Sequence, residues 1–228
     1  RYREWKMMEI SPQIARKIIE IVGGMGTPPE YGYQYFTVGL DYYLNTLEEE
    51  YLKTYIKNGG SSFKMIIGHY GEGKTHFLYC LRERAWKYNY LSSYIILTPE
   101  ETPFYRIEQI YKAIVKNMVY PLRADELLTG YEYGIDAVIK VWFYQKYQEF
   151  KQNGSGDSIN KELKNYALTL GPYDSTSFKN AIMSAFLNLA ENNKENFETI
   201  IQWLKGENPD RSLMRDFKIF EEIDKSNA

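Results

Sequence analysis

Gly68, Gly73, Lys74 and Thr75 stand in the order Gly-x-x-x-x-Gly-Lys-Thr, within Gly68-His69-Tyr70-Gly71-Glu72-Gly73-Lys74-Thr75. This spacing suits one chemistry above others, the holding of a phosphate chain. The glycines let the backbone curl so that successive N–H groups point inward at phosphate oxygens. A helix beginning at Lys74 turns its unpaired N–H groups, and the positive end of its dipole, toward the same oxygens. Lys74 is the catalytic candidate, a point charge able to reach β and γ oxygens. The Thr75 hydroxyl is the metal-ligand candidate, holding an Mg²⁺ that bridges those oxygens. The backbone N–H groups of His69, Tyr70 and Glu72 are expected to contact phosphate whatever their side chains do. His76, in the first helical turn, is expected to pack near the nucleotide. The four fixed positions arise by chance about once in a hundred chains of this length. The ligand these residues imply is ATP with Mg²⁺.

Three further signals bear on the chemistry. No four-residue apolar run ends in Asp-Glu or Asp-Asp, the pattern that would hold the metal from a second strand. The nearest string, Ile95-Ile96-Leu97, is followed by Thr98-Pro99-Glu100-Glu101 and lacks the Asp. A guanine-selecting Asn-Lys-x-Asp is missing too, since Asn193-Lys194-Glu195-Asn196 ends in the wrong residue. That disfavours a GTPase. Arg82, Arg84 and Arg106 could serve a small-molecule kinase at its acceptor side, which keeps phosphoryl transfer open as an alternative reading.

The elements that must position the loop can be read from periodicity. Phe63 to Ile67 is a short apolar run before the loop, and a helix is expected from Lys74 to about Tyr88. Tyr94-Ile95-Ile96-Leu97 reads as a second strand. Strand, helix, strand is the unit of a parallel α/β sheet. Upstream, Ser11-Pro12 reads as a helix start and Gly23-Gly24 as its stop. A helix is expected over about 41–57, and another over about 106–118. Beyond Pro121 the apolar stripes are helical, including Ile135, Val138, Ile139, Trp142 and Phe143, with Asn208-Pro209 opening a last helix. The expected fold class is α/β, an incomplete P-loop NTPase with a parallel sheet and flanking helices, plus a C-terminal helical segment. The expected division is 1–120 for the nucleotide-binding part and 121–228 for the helical bundle.

The stretch from Ile14 to Met118 resembles the ATP-binding proteins of BREX phage-exclusion systems, the BrxD-like P-loop family. The likeness is carried by Ala15-Arg16-Lys17-Ile18-Ile19-Glu20, Phe36-Thr37-Val38-Gly39, Gly68 through Leu78, Thr98 through Pro103, and Ile110 through Asn117. Phe36-Thr37-Val38-Gly39 also resembles a segment of AAA+ and STAND-type ATPases that packs beside the adenine. The resemblance makes Val38 and Gly39 binding candidates. Leu40-Asp41 replaces the usual Arg-Glu. The resemblance implies an AAA+/STAND-like ATPase in prokaryotic defence, with defence-system and nucleic-acid-associated partners.

Bulk composition narrows the field. A formal net charge of −2 gives no general pull toward DNA or anionic lipid, and the basic-aromatic run Arg82 to Tyr88 is a weak footprint. One cysteine, Cys80, excludes an internal disulfide and agrees with a reducing cytoplasm. With only His69 and His76 beside it, a structural zinc site is not expected. No apolar run approaches the roughly 18 residues of a spanning helix. The chain starts at Arg1 rather than Met and stops at Ala228 just past a helical pattern. The expectation is a piece of a longer protein, with the missing acidic strand beyond Ala228. The oligomeric state is left open.

Overall fold

The computed structural model describes residues 10–25, 32–123, 126–127, 130–154, 159–171 and 175–223. The chain divides into two compact units, Arg1–Ser92 with Tyr120–Tyr131, and Ser93–Val119 with Glu132–Ala228.

In the first unit α1 spans Pro12–Met25. Ser11 caps it as its position suggests, its Oγ accepting from the N–H of Ile14 at 3.3 Å. The helix runs through Gly23-Gly24 instead of stopping there. Ile14 and Ile18 press on Gly32, where an added Cβ would stand 2.6 Å from Ile18 Cδ1 at a φ of +75°. The positive φ favours glycine there, and an added Cβ would also displace the tip of Ile18. A short 3₁₀ turn, Tyr33–Tyr35, follows. Then α2, Asp41–Leu47, continues as π-helical turns over Glu48–Tyr55 in place of one regular helix. Ile56 N–H donates to Tyr51 carbonyl at 2.8 Å, a five-residue reach. Thr54 Oγ1 donates to the carbonyls of Glu50 at 2.5 Å and Glu49 at 3.1 Å, a back-bonding that bends helices.

The helix α3 spans Lys74–Trp86, beginning where the glycine-rich pattern predicts. Tyr79 and Cys80 on α3 pack with Tyr33 and Leu44 to form this unit's small core. A polar clamp lies beside it. Glu48 is buried, and its carboxylate accepts from Arg84 Nη1 and from Tyr88 OH at 2.5 Å. Burial pushes the Glu48 pKa up, but the Tyr88 hydroxyl and the Arg84 guanidinium outweigh it and hold it below the ordinary glutamate value.

The parallel sheet expected around the loop is not formed. Among the described residues the only sheet has two strands of two residues, β1 (Ser92–Ser93) and β2 (Met118–Val119). Phe63 to Ile67 and Tyr94 to Leu97 are irregular backbone, with Phe63 74%, Ile67 87% and Ile96 71% exposed. The α/β fold class is therefore corrected to a largely helical one. The physical reason is that a strand exists only as half of a hydrogen-bonded pair. The apolar runs supply side chains for a buried strand, but among the described residues neither run is paired in a ladder.

The second unit holds α4 (Ile107–Lys116), α5 (Ile135–Gln152), α6 (Ile159–Thr169), α7 (Thr176–Ala190), α8 (Lys194–Leu204) and α9 (Arg211–Asp216). Val115, Ile139, Ala181, Ala185, Ile200 and Leu204 form one core cluster, and Phe143, Leu163, Ala167 and Phe186 another. Small residues on α7 let its neighbours approach closely. Ser175 and Asn193 cap α7 and α8, accepting from Phe178 N–H and Asn196 N–H at 3.2 Å each. The last helix opens on Asp210, which accepts from Ser212 N–H at 2.7 Å, two residues after the expected Asn208 cap.

Candidate functional site

The loop reaches α3 through two glycines in the left-handed region, Gly71 at φ +87° and Gly73 at +83°. At either one an added Cβ would meet no atom within 4 Å, so the positive φ, not crowding, is what favours glycine here. Residues 69–73 are exposed, Tyr70 completely so, while Gly68, Lys74, Thr75 and His76 are half-buried. Lys74 folds back over the loop. Its Nζ donates to the Gly68 carbonyl at 2.8 Å and to the His69 carbonyl at 2.6 Å. Glu72 acts on the same turn. Its N–H donates to the His69 carbonyl at 3.3 Å, and its Oε2 accepts from the His69 N–H at 2.7 Å.

The first turn of α3 carries Lys74, Thr75 and His76, the positions whose N–H groups have no acceptor inside a helix. With the Lys74 ammonium and the Thr75 hydroxyl, these are donors of the kind that can hold a phosphate chain. Among the described residues no group of three or more His, Cys, Asp or Glu is placed to hold a metal by itself.

His76 is more than a bystander in the packing. Its Nε2 lies 2.8 Å from Thr37 Oγ1 and 3.6 Å from Cys80 Sγ. The Phe36 ring lies across it at 5.3 Å and the Tyr33 ring meets it edge-on at 6.1 Å. Burial lowers the His76 pKa and, as the largest cause, raises that of Cys80. His76 Nδ1 is buried with no hydrogen-bond partner. Thus Phe36-Thr37 is fixed to the first turns of α3. Val38 and Gly39, the next two residues, are exposed, and an added Cβ on Gly39 would meet nothing within 4 Å. The Thr37–His76 link was not foreseen from sequence, because no local spacing joins residues 39 apart.

Two of the three arginines that would suit a kinase are engaged elsewhere. Arg82 stacks between Tyr79 and Trp86, its Cζ 4.7 Å from each ring, and Arg84 holds Glu48. Arg106 is exposed. Glu100 and Glu101 lie in a turn, where Thr98 Oγ1 accepts from the Glu101 N–H at 3.0 Å.

The model of a family described as BREX system ATP-binding protein BrxC/D matches residues 10–228. The chain belongs to this family. Comparison with curated proteins and with solved structures gives no match. In this BrxC/D-family chain the match takes in the loop, α3 and the helices of the second unit alike. The likeness first read from residues 14–118 therefore extends through the helical part as well. The family's ATP-binding description agrees with the phosphate-holding pattern at 68–75. Among the described residues no helix is long and apolar enough to cross a membrane.

Proposed function

We propose that residues 68–75 bind the triphosphate of ATP together with Mg²⁺, and that the chain is the nucleotide-binding module of an ATPase acting in BREX phage defence. The observation that carries this reading is the junction itself. Two glycines at positive φ lead into the N-terminus of α3, with Lys74 folded over the turn.

In this reading each residue has a separate task. Lys74 places its charge against the β and γ oxygens while its bonds to the Gly68 and His69 carbonyls keep the turn closed. The free amides of the first turn of α3 receive the remaining oxygens. The Thr75 hydroxyl would hold Mg²⁺, which would supply charge neutralisation to the phosphates. Val38 and Gly39 would meet the base, and the Thr37–His76 bond, which ties the preceding residue to the start of α3, supports this. Bound nucleotide then favours one arrangement of the protein and so biases the binding of defence-system partners.

Titration calorimetry with ATP and Mg²⁺ tests the loop. Lys74→Ala is expected to weaken binding roughly tenfold to a hundredfold, the worth of a hydrogen bond from a charged donor. Equal affinity for the two proteins would remove the role given to Lys74.

A further inference from the structure

Glu72 is the only acidic residue between Gly68 and Thr75, and its exposed side chain bends back onto the loop backbone. Its Oε2 accepts from the His69 N–H at 2.7 Å. The same oxygen stands 2.7 Å from where a Cβ on Gly68 would be, so the carboxylate rests directly against the Gly68-His69 backbone. Lys74 Nζ grips that backbone at the two carbonyls, Gly68 and His69. One short stretch of main chain is thus held by an anion at its N–H and by a cation at its C=O groups.

A carboxylate on a loop amide beside the site lysine makes the kind of contact a phosphate oxygen makes. We propose that the Glu72 carboxylate is a built-in competitor for phosphate, and that it sets how tightly this loop holds a nucleotide. This rests on the reading of 68–75 as the triphosphate site. For the phosphate chain to enter, the carboxylate must leave the His69 N–H or tolerate a second anion beside it. Both costs lower affinity. A divalent cation on the phosphates lessens the second cost, so the penalty is greatest for a metal-free polyphosphate.

Two substitutions separate charge from contact. Glu72→Gln removes the charge and keeps an oxygen that can accept from His69. Glu72→Ala removes both. Calorimetry with ATP–Mg²⁺ and with inorganic tripolyphosphate, with and without Mg²⁺, gives the affinities, and circular dichroism confirms that each variant is folded. Both variants are expected to bind more tightly than wild type, roughly threefold to tenfold for loss of one charged competitor, with the larger gain for metal-free tripolyphosphate. Unchanged or weakened binding in both folded variants overturns the proposal. Lys74→Ala run in parallel keeps the two readings apart. If Lys74→Ala binds as wild type does, or if wild type does not bind, the triphosphate site itself is wrong and the Glu72 proposal falls with it. If Lys74→Ala loses affinity and the Glu72 variants gain none, only the competitor role is wrong.

Discussion

Replacing Thr37 by Val removes one hydroxyl and nearly keeps the side chain's volume. The hydroxyl lies 2.8 Å from His76 Nε2, an ordinary hydrogen bond, and 3.6 Å from Cys80 Sγ, a weak one. Losing a net hydrogen bond costs about 1 kcal/mol, and a ring nitrogen left without a partner adds a desolvation cost of about 1–3 kcal/mol when fully buried. His76 is half-buried, and its Nε2 keeps Cys80 Sγ at 3.6 Å, so the second penalty applies only in part. A total of about 1–2 kcal/mol follows, which is a factor of roughly 5–30 in local opening. Amide hydrogen exchange of α3, corrected for intrinsic rate, measures this directly. Thr37→Val should speed exchange of the hydrogen-bonded α3 amides from Phe77 to Leu81 by that factor, and Thr37→Ser, which keeps the hydroxyl, should do so far less. Wild-type protection in Thr37→Val, or equal loss in both variants, would refute the assignment of this bond as the tie between residues 36–37 and α3. The pH dependence adds a second reading. Burial lowers the His76 pKa below its ordinary 6.5, so the neutral ring is favoured in the fold. The stability it contributes is present above 6.5 and is lost as pH falls through the lowered folded value, and α3 protection should fall with it.

Two stability predictions concern single buried groups. Burial raises the Glu83 pKa above its ordinary 4.5, partly opposed by Lys87, Arg84 and Arg82, so its ionised form weakens the fold at neutral pH. Glu83→Gln should raise the melting temperature at pH 7, and the difference should vanish below pH 4.5, where the carboxyl is protonated in either state. Leu163 on α6 is fully buried against Phe143, Ala167 and Phe186, and Leu163→Ala should cost about 2–5 kcal/mol by the cavity it leaves, read from chemical denaturation of the second unit.

The loop and its helix were legible in the sequence because the information is local. Gly71 and Gly73 mark positive φ, Lys74 opens α3, and Ser11 caps α1, each within a few residues of the partner it needs. Helical stripes such as Ile135, Ile139 and Phe143 were legible for the same reason, since one face repeats along one segment. At the last helix the cap was legible only by residue class: Asp210 took the place expected of Asn208, two residues away.

The two strands were misread because apolar runs at 63–67 and 94–97 carry no information about whether another backbone lies alongside. The Thr37–His76 bond and the Glu48 clamp join residues 36 to 40 apart, and no spacing rule reaches that far. Glu72 is the instructive case within the loop. Sequence identified a variable position that contributes an amide. Only the folded turn, by setting a carboxylate 2.7 Å from the His69 N–H, gave its side chain something to do. Residue type and spacing by themselves determined the glycine turn that leads into α3 and which stretches are helical, since both depend on neighbours along the chain. Tertiary structure decided which apolar runs are paired, which charges are buried and what faces the loop, since each depends on segments that meet only when the chain is folded.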